Sequence, residues 1–253
     1  VAEAAHMDRD VAFLDIKSAY LTATLKIKQY MYAPKGVTPP KPGQIMQIDK
    51  GLYGLVNAAR AFHLDIRKKL LAWGYRASAA DPCLFIKTSG KQVVRILLFV
   101  DDMAIFTDRS DAGKKMKEGL VSRIEKEYQY SSSDDDDVYL GITVKRVGKS
   151  GLLLRQTRYI DDLIIRFGKQ DHKPTHKVSS GAKISVVDCY EGEPKDNPYV
   201  KRYREMCGSL RWIEQCTRLD ISARLSELCK VQANPGKVHV DEMELLMSYI
   251  ATT

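Results

Sequence analysis

The feature of this sequence that most constrains its fold is a short apolar segment, residues 96–100 (I-L-L-F-V), which runs directly into Asp101 and Asp102. A continuous apolar run of this length is typical of a buried strand. A similar run at residues 11–16 carries Asp15 near its end. The two runs therefore predict buried strands that have carboxylates at their ends.

Carboxylates that lie close together in a folded chain are costly to ionise unless a positive group joins them. Oxygen ligands at strand ends suit Mg²⁺, which keeps some of its water and is completed by substrate phosphates. Two such ions can activate an attacking hydroxyl and stabilise a leaving pyrophosphate. Adjacent aspartates also commonly fill a hairpin turn without any further role. A solvent-facing turn, however, does not require the strongly apolar strand that precedes Asp101.

The remaining pattern predicts an α+β fold that becomes mainly helical, in two structural units that meet near residue 155. Short apolar runs predict further strands at residues 84–87, 93–100, 103–107, 138–147 and 151–155. Apolar residues at helical spacing predict helices around residues 59–73, 111–128, 159–167, 203–213, 221–228 and 243–250. Residues 34–43, rich in Pro and Gly, and residues 174–198 predict irregular structure.

The charge of the chain is concentrated in one segment. Residues 141–177 hold nine basic and three acidic side chains, so they carry +6 of the net charge of +8. Such a segment indicates either a polyanion-binding surface or a solvated basic surface. The polar run at residues 131–137 (S-S-S-D-D-D-D) is expected to be a solvated loop rather than a metal site.

Other features of the composition exclude several classes of protein. The apolar runs are far shorter than the roughly 20 residues of a membrane span, so no membrane partner is expected. The five cysteines are widely spaced and include no C-x-x-C pair, which argues against a disulfide framework or a zinc cluster. We therefore expect a reducing, intracellular setting.

Several motifs resemble those of reverse transcriptases. Residues 99–102 (F-V-D-D) resemble the aromatic-x-Asp-Asp box of these enzymes, and residues 13–21 (F-L-D-I-K-S-A-Y-L) are similar to their first catalytic motif in its copia-type form. Residues 52–62 resemble the copia-type segment L-Y-G-L-x-x-A-x-R-x-aromatic. Further similar segments follow in the expected order at residues 80–84, 139–142, 203–210, 218–221 and 234–239. On these residues the chain is identified as a copia-type LTR retrotransposon reverse transcriptase.

The resemblance implies the palm and thumb portion of a Pol polyprotein. Its palm is an α+β fold, a ferredoxin-like antiparallel sheet with helices on one face. We expect the palm, with a remnant of the fingers, at residues 1–155 and a mainly helical thumb or connection region at residues 156–253. The upstream part of the fingers and the downstream ribonuclease H domain are expected to lie outside this chain.

The resemblance also implies the residues of the site. Asp15, Asp101 and Asp102 would be the catalytic carboxylates and would hold two Mg²⁺ ions, or Mn²⁺ in their place. Tyr20 would lie under the sugar of the incoming dNTP and exclude a 2′-hydroxyl; a core aromatic is the alternative. The residues expected to contact the dNTP are Ile16, Lys17, Ala19, Tyr20, Tyr53 and Gly54. The residues expected to contact nucleic acid, beginning with a primer-grip hairpin, are Tyr139, Leu140, Gly141, Lys145 and Arg146.

These roles predict an RNA-directed and DNA-directed DNA polymerase that extends a primer 3′-hydroxyl by two-metal nucleotidyl transfer. The expected partners are an RNA or DNA template with its primer, dNTPs, and the integrase and ribonuclease H of the same polyprotein. The expected location is cytoplasmic virus-like particles and the nucleus. The alternative is a catalytically incomplete fragment that only binds nucleic acid. It is motivated by the missing fingers and by residues 57–59 (N-A-A), which depart from the family pattern.

Overall fold

A computed structural model describes residues 2–38, 41, 43–132, 138–148 and 151–253. The chain divides into two compact units. The first unit comprises Val1–Leu140 and Val144–Leu153, and the second comprises Gly141–Thr143 and Leu154–Thr253. Parts of three expected loops, namely residues 39–40 and 42, 133–137 and 149–150, lie outside the described residues.

The described residues combine helices with antiparallel sheet, so the fold is α+β as the sequence predicts. The strands are β1 Asp10–Ile16, β2 Thr24–Tyr32, β3 Ile45–Lys50, β4 Arg76–Ala77, β5 Leu84–Ser89, β6 Gln92–Phe99, β7 Asp102–Thr107, β8 Tyr130–Ser132, β9 Val138–Tyr139, β10 Ile142–Val147 and β11 Gly151–Arg155. The α-helices are α1 Ala2–His6, α2 Ala19–Thr22, α3 Ala58–Ala72, α4 Asp111–Glu127, α5 Thr157–Arg166, α6 Val200–Cys216, α7 Ser222–Lys230 and α8 Lys237–Thr252.

The centre of the first unit is a six-stranded sheet in the order β4-β5-β6-β7-β1-β8. Strands β5, β6, β7 and β1 pair antiparallel with their neighbours, and alternate side chains along each strand point to opposite faces. Leu14, Met103 and Leu98 form one cross-strand row and are almost fully buried. This row identifies the face of the sheet that builds the core.

Helices α3 and α4 supply the other side of this core. Phe62, Ile66 and Leu70, spaced by four residues along α3, are fully buried in the same cluster as the strand side chains. Helix α4 begins where the Ser110 side chain accepts a hydrogen bond from the Gly113 amide at 3.1 Å. Helix α3 ends before Gly74, whose φ of +85° favours glycine.

The second unit is mainly helical, with a core built from the apolar faces of α5, α6, α7 and α8. A buried pair of charged side chains also lies in this unit. The Arg224 guanidinium, 8% exposed, forms an ion pair with Glu242, which is 4% exposed. Residues 174–198, expected to be irregular, include two short 3₁₀ turns, Val186–Asp188 and Pro194–Asp196.

Two local features differ from the sequence pattern. The expected continuous strand at residues 138–147 is divided into β9 and β10, because Leu140 and Gly141 both have positive φ, 53° and 75°. The β2–β3 hairpin on either side of the Pro- and Gly-rich loop was not predicted, because its strands are largely exposed and lack a clean apolar alternation. No helix in the described part of the chain is long and apolar enough to cross a membrane.

Candidate active site

The strand register brings two of the expected carboxylates together. Asp15 on β1 lies directly opposite Asp102 on β7, and Asp102 lies directly opposite Phe99 on β6. Residues that face each other across antiparallel strands point to the same side of the sheet, with Cβ atoms roughly 5 Å apart. Ser131 continues the row on β8, and its Oγ donates a hydrogen bond to Asp15 Oδ2 at 3.3 Å. We call Phe99, Asp102, Asp15 and Ser131 the carboxylate row.

Asp101 lies beside this row in the tight turn between β6 and β7. Val100, the other residue of the turn, has a φ of 55°. A β-branched residue rarely adopts a positive φ, so this turn stores backbone strain. The Asp101 carbonyl accepts a hydrogen bond from the Ile16 amide at 2.9 Å, which fixes the turn against the end of β1. The turn is therefore held close to Asp15 by the backbone.

The electrostatics of the row show an excess of negative charge. The pKa of Asp102 is raised above its ordinary value by burial and by the neighbouring charges of Asp101 and Asp15. None of the three carboxylates forms an ion pair with a Lys, Arg or His among the described residues. A cation would relieve this repulsion, so the donor set fits a divalent metal ion.

The three carboxylates do not form a closed shell of ligands. Within the described ranges, no three His, Cys, Asp or Glu side chains are arranged to hold a metal ion. Mg²⁺ is usually bound through one or two carboxylates and keeps water or substrate phosphate as its other ligands. An open row of carboxylates on a partly exposed sheet face is compatible with that mode of binding.

The segment after Asp15 makes a sharp turn into helix α2. The Lys17 amide donates to the Gln129 carbonyl at 2.8 Å, and Ser18 has a φ of 54°. The Lys17 side chain is exposed, whereas Ile16 and Ala19 are buried and belong to the core of the first unit. Of the residues expected to contact a dNTP, Ile16 and Ala19 can therefore contribute only their backbone.

Two aromatic residues predicted for the nucleotide site are in contact. The ring centroids of Tyr20 and Tyr53 are 5.0 Å apart, with an angle of 59° between the ring planes. Tyr20 is partly buried against the core, and Tyr53 is 62% exposed. Gly54, next to Tyr53, has a φ of +92°, a conformation that favours glycine. The pair thus joins the α2 segment to the loop after β3.

Gly51 holds two backbone segments close together, although no motif of the sequence marks it. A Cβ atom at this position would lie 2.6 Å from the Tyr20 carbonyl oxygen and 3.2 Å from the Ala58 Cβ. Only glycine permits this close approach of the two backbones. The contact is between residues 31 positions apart, so no local pattern could have indicated it. Ser131 was also missed, because it lies in a low-complexity run with no distinguishing signal.

Tyr139 packs on the same side of the sheet as the carboxylate row. Its ring stacks on Phe13 with centroids 5.5 Å apart and an interplanar angle of 28°. Its hydroxyl is buried and has no hydrogen-bond partner among the described residues. Burial, with smaller effects from the charges of Asp102 and Cys83, raises the pKa of Tyr139 to about 12. Leu140 and Gly141, which follow it, form the positive-φ turn between β9 and β10.

The basic residues expected to contact nucleic acid differ in their surroundings. Lys145 is exposed on β10. The Arg146 guanidinium is bound within the first unit, where it forms an ion pair with Asp8 at 3.0 Å and donates to the Arg9 carbonyl. In the second unit, Arg155 and Lys173 of the basic segment are exposed. Exposed basic side chains are therefore present in both units.

This chain is similar to one protein-family model and to several known proteins. Residues 1–178 match the family model described as "Reverse transcriptase (RNA-dependent DNA polymerase)". The chain is 31% identical over 242 residues to the "Retrovirus-related Pol polyprotein from transposon RE1" of Arabidopsis thaliana, covering 95% of this chain and 16% of that protein. It is 30% identical over 259 residues to the corresponding polyprotein from transposon TNT 1-94 of Nicotiana tabacum, covering 99% of this chain and 19% of that protein.

A more distant relative is of similar size. The "Putative transposon Ty5-1 protein YCL074W" of Saccharomyces cerevisiae is 20% identical over 241 residues, which cover 95% of this chain and 76% of that protein. By contrast, the chain spans less than a fifth of the length of the plant Pol polyproteins that it matches.

Proposed function

The chain belongs to the reverse transcriptase (RNA-dependent DNA polymerase) family of copia-type elements, and from this premise we propose that it extends a primer by adding dNMP units opposite an RNA or DNA template. The observation that carries the proposal is the carboxylate row. It joins Asp15 and Asp102 across neighbouring strands, beside a strained turn that contains Asp101. Carboxylates that have no cationic side chain beside them can hold the divalent metal ions that catalyse nucleotidyl transfer.

The carboxylates of Asp15, Asp101 and Asp102 would hold two Mg²⁺ ions, or Mn²⁺ in their place. When bound, these ions would lower the pKa of the primer 3′-hydroxyl and neutralise charge on the leaving pyrophosphate. The oxygen ligands and the raised pKa of Asp102 support this assignment. Because burial and the neighbouring charges raise the pKa of Asp102, a nearby cation would favour its ionised carboxylate.

The residues after Asp15 would bind the dNTP. The backbone of Ile16 and Ala19 and the exposed side chain of Lys17 would contact the triphosphate. The Tyr20 ring would lie under the sugar and exclude a 2′-hydroxyl, and its contact with Tyr53 supports this role because it limits the positions open to the ring. Gly54 would allow the backbone to approach the nucleotide and the template base.

We assign the first unit to the palm, with a remnant of the fingers, and the second to the thumb or connection region. Tyr139, Leu140 and Gly141 would form the primer grip, and exposed basic residues such as Lys145 would contact the nucleic-acid backbone. The remaining Pol domains, integrase and ribonuclease H, would be partners within a longer polyprotein. The ion pair of Arg146 with Asp8 favours a structural role for this residue beside any contact with nucleic acid.

A second candidate function is nucleic-acid binding without polymerisation. It is favoured by the exposed basic side chains of the second unit, such as Arg155 and Lys173. Binding of this kind depends strongly on salt, because each neutralised phosphate releases counterions. It does not depend on a divalent metal ion or on the carboxylate row.

Primer extension on matched RNA and DNA templates tests the proposal. We expect Mg²⁺-dependent extension by the wild-type chain, and a loss of at least about 100-fold in Asp101→Asn, the scale seen when a group that stabilises a transition state is removed. Asp161→Asn, which alters an exposed carboxylate on α5, is the matched control and should keep full activity. Extension that survives Asp101→Asn would overturn the mechanism. Salt-dependent binding with no extension by the wild type would select the second candidate.

A further inference from the structure

The Asp15 carboxylate receives a hydrogen bond from one side chain in the described part of the protein. The Ser131 Oγ lies 3.3 Å from Asp15 Oδ2. An ionised carboxylate can only accept hydrogen bonds, so the serine hydroxyl is the donor. The other carboxylate oxygen, Oδ1, has no hydrogen-bond partner among the described residues. Ser131 thus contacts one oxygen of Asp15 and leaves the second oxygen open.

Strand pairing holds Ser131 beside Asp15. Strand β8 pairs antiparallel with β1, and its register places Ser131 directly opposite Asp15 and Tyr130 opposite Ile16. Ile16 is buried, and Tyr130 packs against the same core. Because side chains alternate between the two faces of a sheet, a shift of one residue would remove Tyr130 from the core and turn Ser131 away from Asp15. Core packing therefore selects the register that this hydrogen bond needs.

The two cross-strand neighbours of Asp15 differ in their chemistry. On β7 it faces Asp102, a second carboxylate, and like charges directly opposite each other repel. On β8 it faces the Ser131 hydroxyl, which donates a hydrogen bond. The Asp15 side chain is exposed, so few packing contacts restrict its rotation. The hydroxyl is therefore the group that limits the orientations of this carboxylate.

We propose that Ser131 is a positioning residue of the cation site, whose hydroxyl orients the Asp15 carboxylate so that Oδ1 stays available to a divalent metal ion. This inference rests on the proposed function, because it concerns the same site. Groups that hydrogen-bond to a ligating carboxylate orient it, and their loss typically lowers metal affinity or activity by about 10- to 100-fold. Ser131 acts through Asp15 and needs no contact of its own with the metal ion or the dNTP.

A structural role in the edge strand β8 is the alternative for Ser131. The hydrogen bond to Asp15 is longer than the roughly 2.5–3.0 Å that is usual between two oxygens, so it adds little to the stability of the fold. The backbone pairing of β8 with β1 does not depend on the serine side chain. A structural role therefore predicts a lower melting temperature on replacement, whereas a positioning role predicts weaker metal binding at an unchanged melting temperature.

Calorimetric titration of the full chain with Mn²⁺ tests the proposal. Ser131→Ala should bind Mn²⁺ about tenfold more weakly than the wild type, at the lower end of the usual range because the hydrogen bond is long. Ser131→Thr keeps the hydroxyl and should bind Mn²⁺ as the wild type does. Ser132→Ala is the matched control: Ser132 is the exposed neighbour on β8, and its side chain lies on the opposite face of the sheet. All three variants should melt at the wild-type temperature.

Asp15→Asn, titrated alongside, separates this inference from the proposed function. If Asp15→Asn binds Mn²⁺ weakly while Ser131→Ala binds it as tightly as the wild type, the positioning role is refuted and the cation site stands. If Asp15→Asn also binds as the wild type does, the cation site is refuted together with the role of Ser131. An equal loss of affinity in Ser131→Thr or Ser132→Ala, or a lower melting temperature of Ser131→Ala, would assign the effect to the strand and overturn the inference.

Discussion

Replacement of Gly51 by alanine tests how the α2 segment is held beside the site. The added Cβ would lie 2.6 Å from the Tyr20 carbonyl oxygen, where ordinary contact begins at 3.4 Å. The two backbones must therefore separate by about 0.8 Å, the difference between these distances. The Ala58 Cβ, at 3.2 Å from the added atom, would also be closer than ordinary contact.

The loss of stability expected in Gly51→Ala follows from the close packing around the added Cβ atom. Extra atoms in a closely packed region typically cost about 1–3 kcal/mol of stability. For a chain of this size, each kcal/mol lowers the melting temperature by roughly 2–4 °C, so we expect a decrease of roughly 2–12 °C. The strain falls on backbone atoms, which cannot rotate away as a flexible side chain would.

Tryptophan fluorescence can report this change in the first unit alone. The chain has two tryptophans; Trp73 packs against the core of the first unit, and Trp212 lies in the second. Trp212 is 38% exposed, so Trp212→Phe provides a mild background in which Trp73 is the single reporter. Thermal melts in this background should show Gly51→Ala unfolding earlier than its parent.

The matched control is Gly119→Ala. Gly119 lies in helix α4 of the same unit, and an added Cβ would meet nothing within 4 Å. Alanine is favoured over glycine inside a helix by roughly 0.5–1 kcal/mol, so this variant should melt at the same temperature or higher. If Gly51→Ala were as stable as Gly119→Ala, the inferred close approach between Gly51 and Tyr20 would be refuted.

Three further predictions concern charge, selectivity and the buried ion pair. The pKa of Asp102 is raised in the folded state, so the protonated side chain stabilises the folded chain at pH values below its unfolded pKa near 3.8. This stabilisation is lost as the pH rises through the folded pKa. Asp102→Asn should therefore stabilise the metal-free chain at pH 7, by less than about 1 kcal/mol because the site is partly exposed, and this gain should shrink in melts at pH 4. Tyr20→Val should reduce the preference for dNTP over rNTP by roughly 10- to 200-fold in single-nucleotide incorporation, and an unchanged ratio would exclude Tyr20 from sugar selection. Glu242→Gln should cost about 1.5–3 kcal/mol in urea unfolding, because Arg224 loses its buried carboxylate partner and keeps only the exposed Glu227, whereas a loss below 1 kcal/mol would show that the pair is not needed.

The sequence predicted the elements that depend on local pattern. Strands β1 and β6, whose ends lie at or beside Asp15 and Asp101, follow from apolar runs, and the helix that carries Phe62 and Ile66 follows from helical spacing. These patterns are set by each segment alone. The α+β class follows from the order of these segments. The carboxylate pair Asp15 and Asp102 could be anticipated because both lie at strand ends, although their register could not.

Features that depend on distant contacts could not be predicted. The approach of Gly51 to Tyr20 joins a loop to a helix, and the stacking of Tyr139 on Phe13 joins residues 126 positions apart. In each case the side chain alone is compatible with many surroundings, and tertiary packing selects one of them.

The central claim is that Asp15, Asp101 and Asp102 act together as ligands of a divalent cation. Mn²⁺ binding, measured by the loss of the free-ion signal in electron paramagnetic resonance, tests it without requiring polymerisation. We expect the wild-type chain and Asp161→Asn to bind Mn²⁺ alike, and Asp15→Asn to bind it at least about tenfold more weakly. Equal binding by Asp15→Asn and Asp161→Asn would contradict the claim.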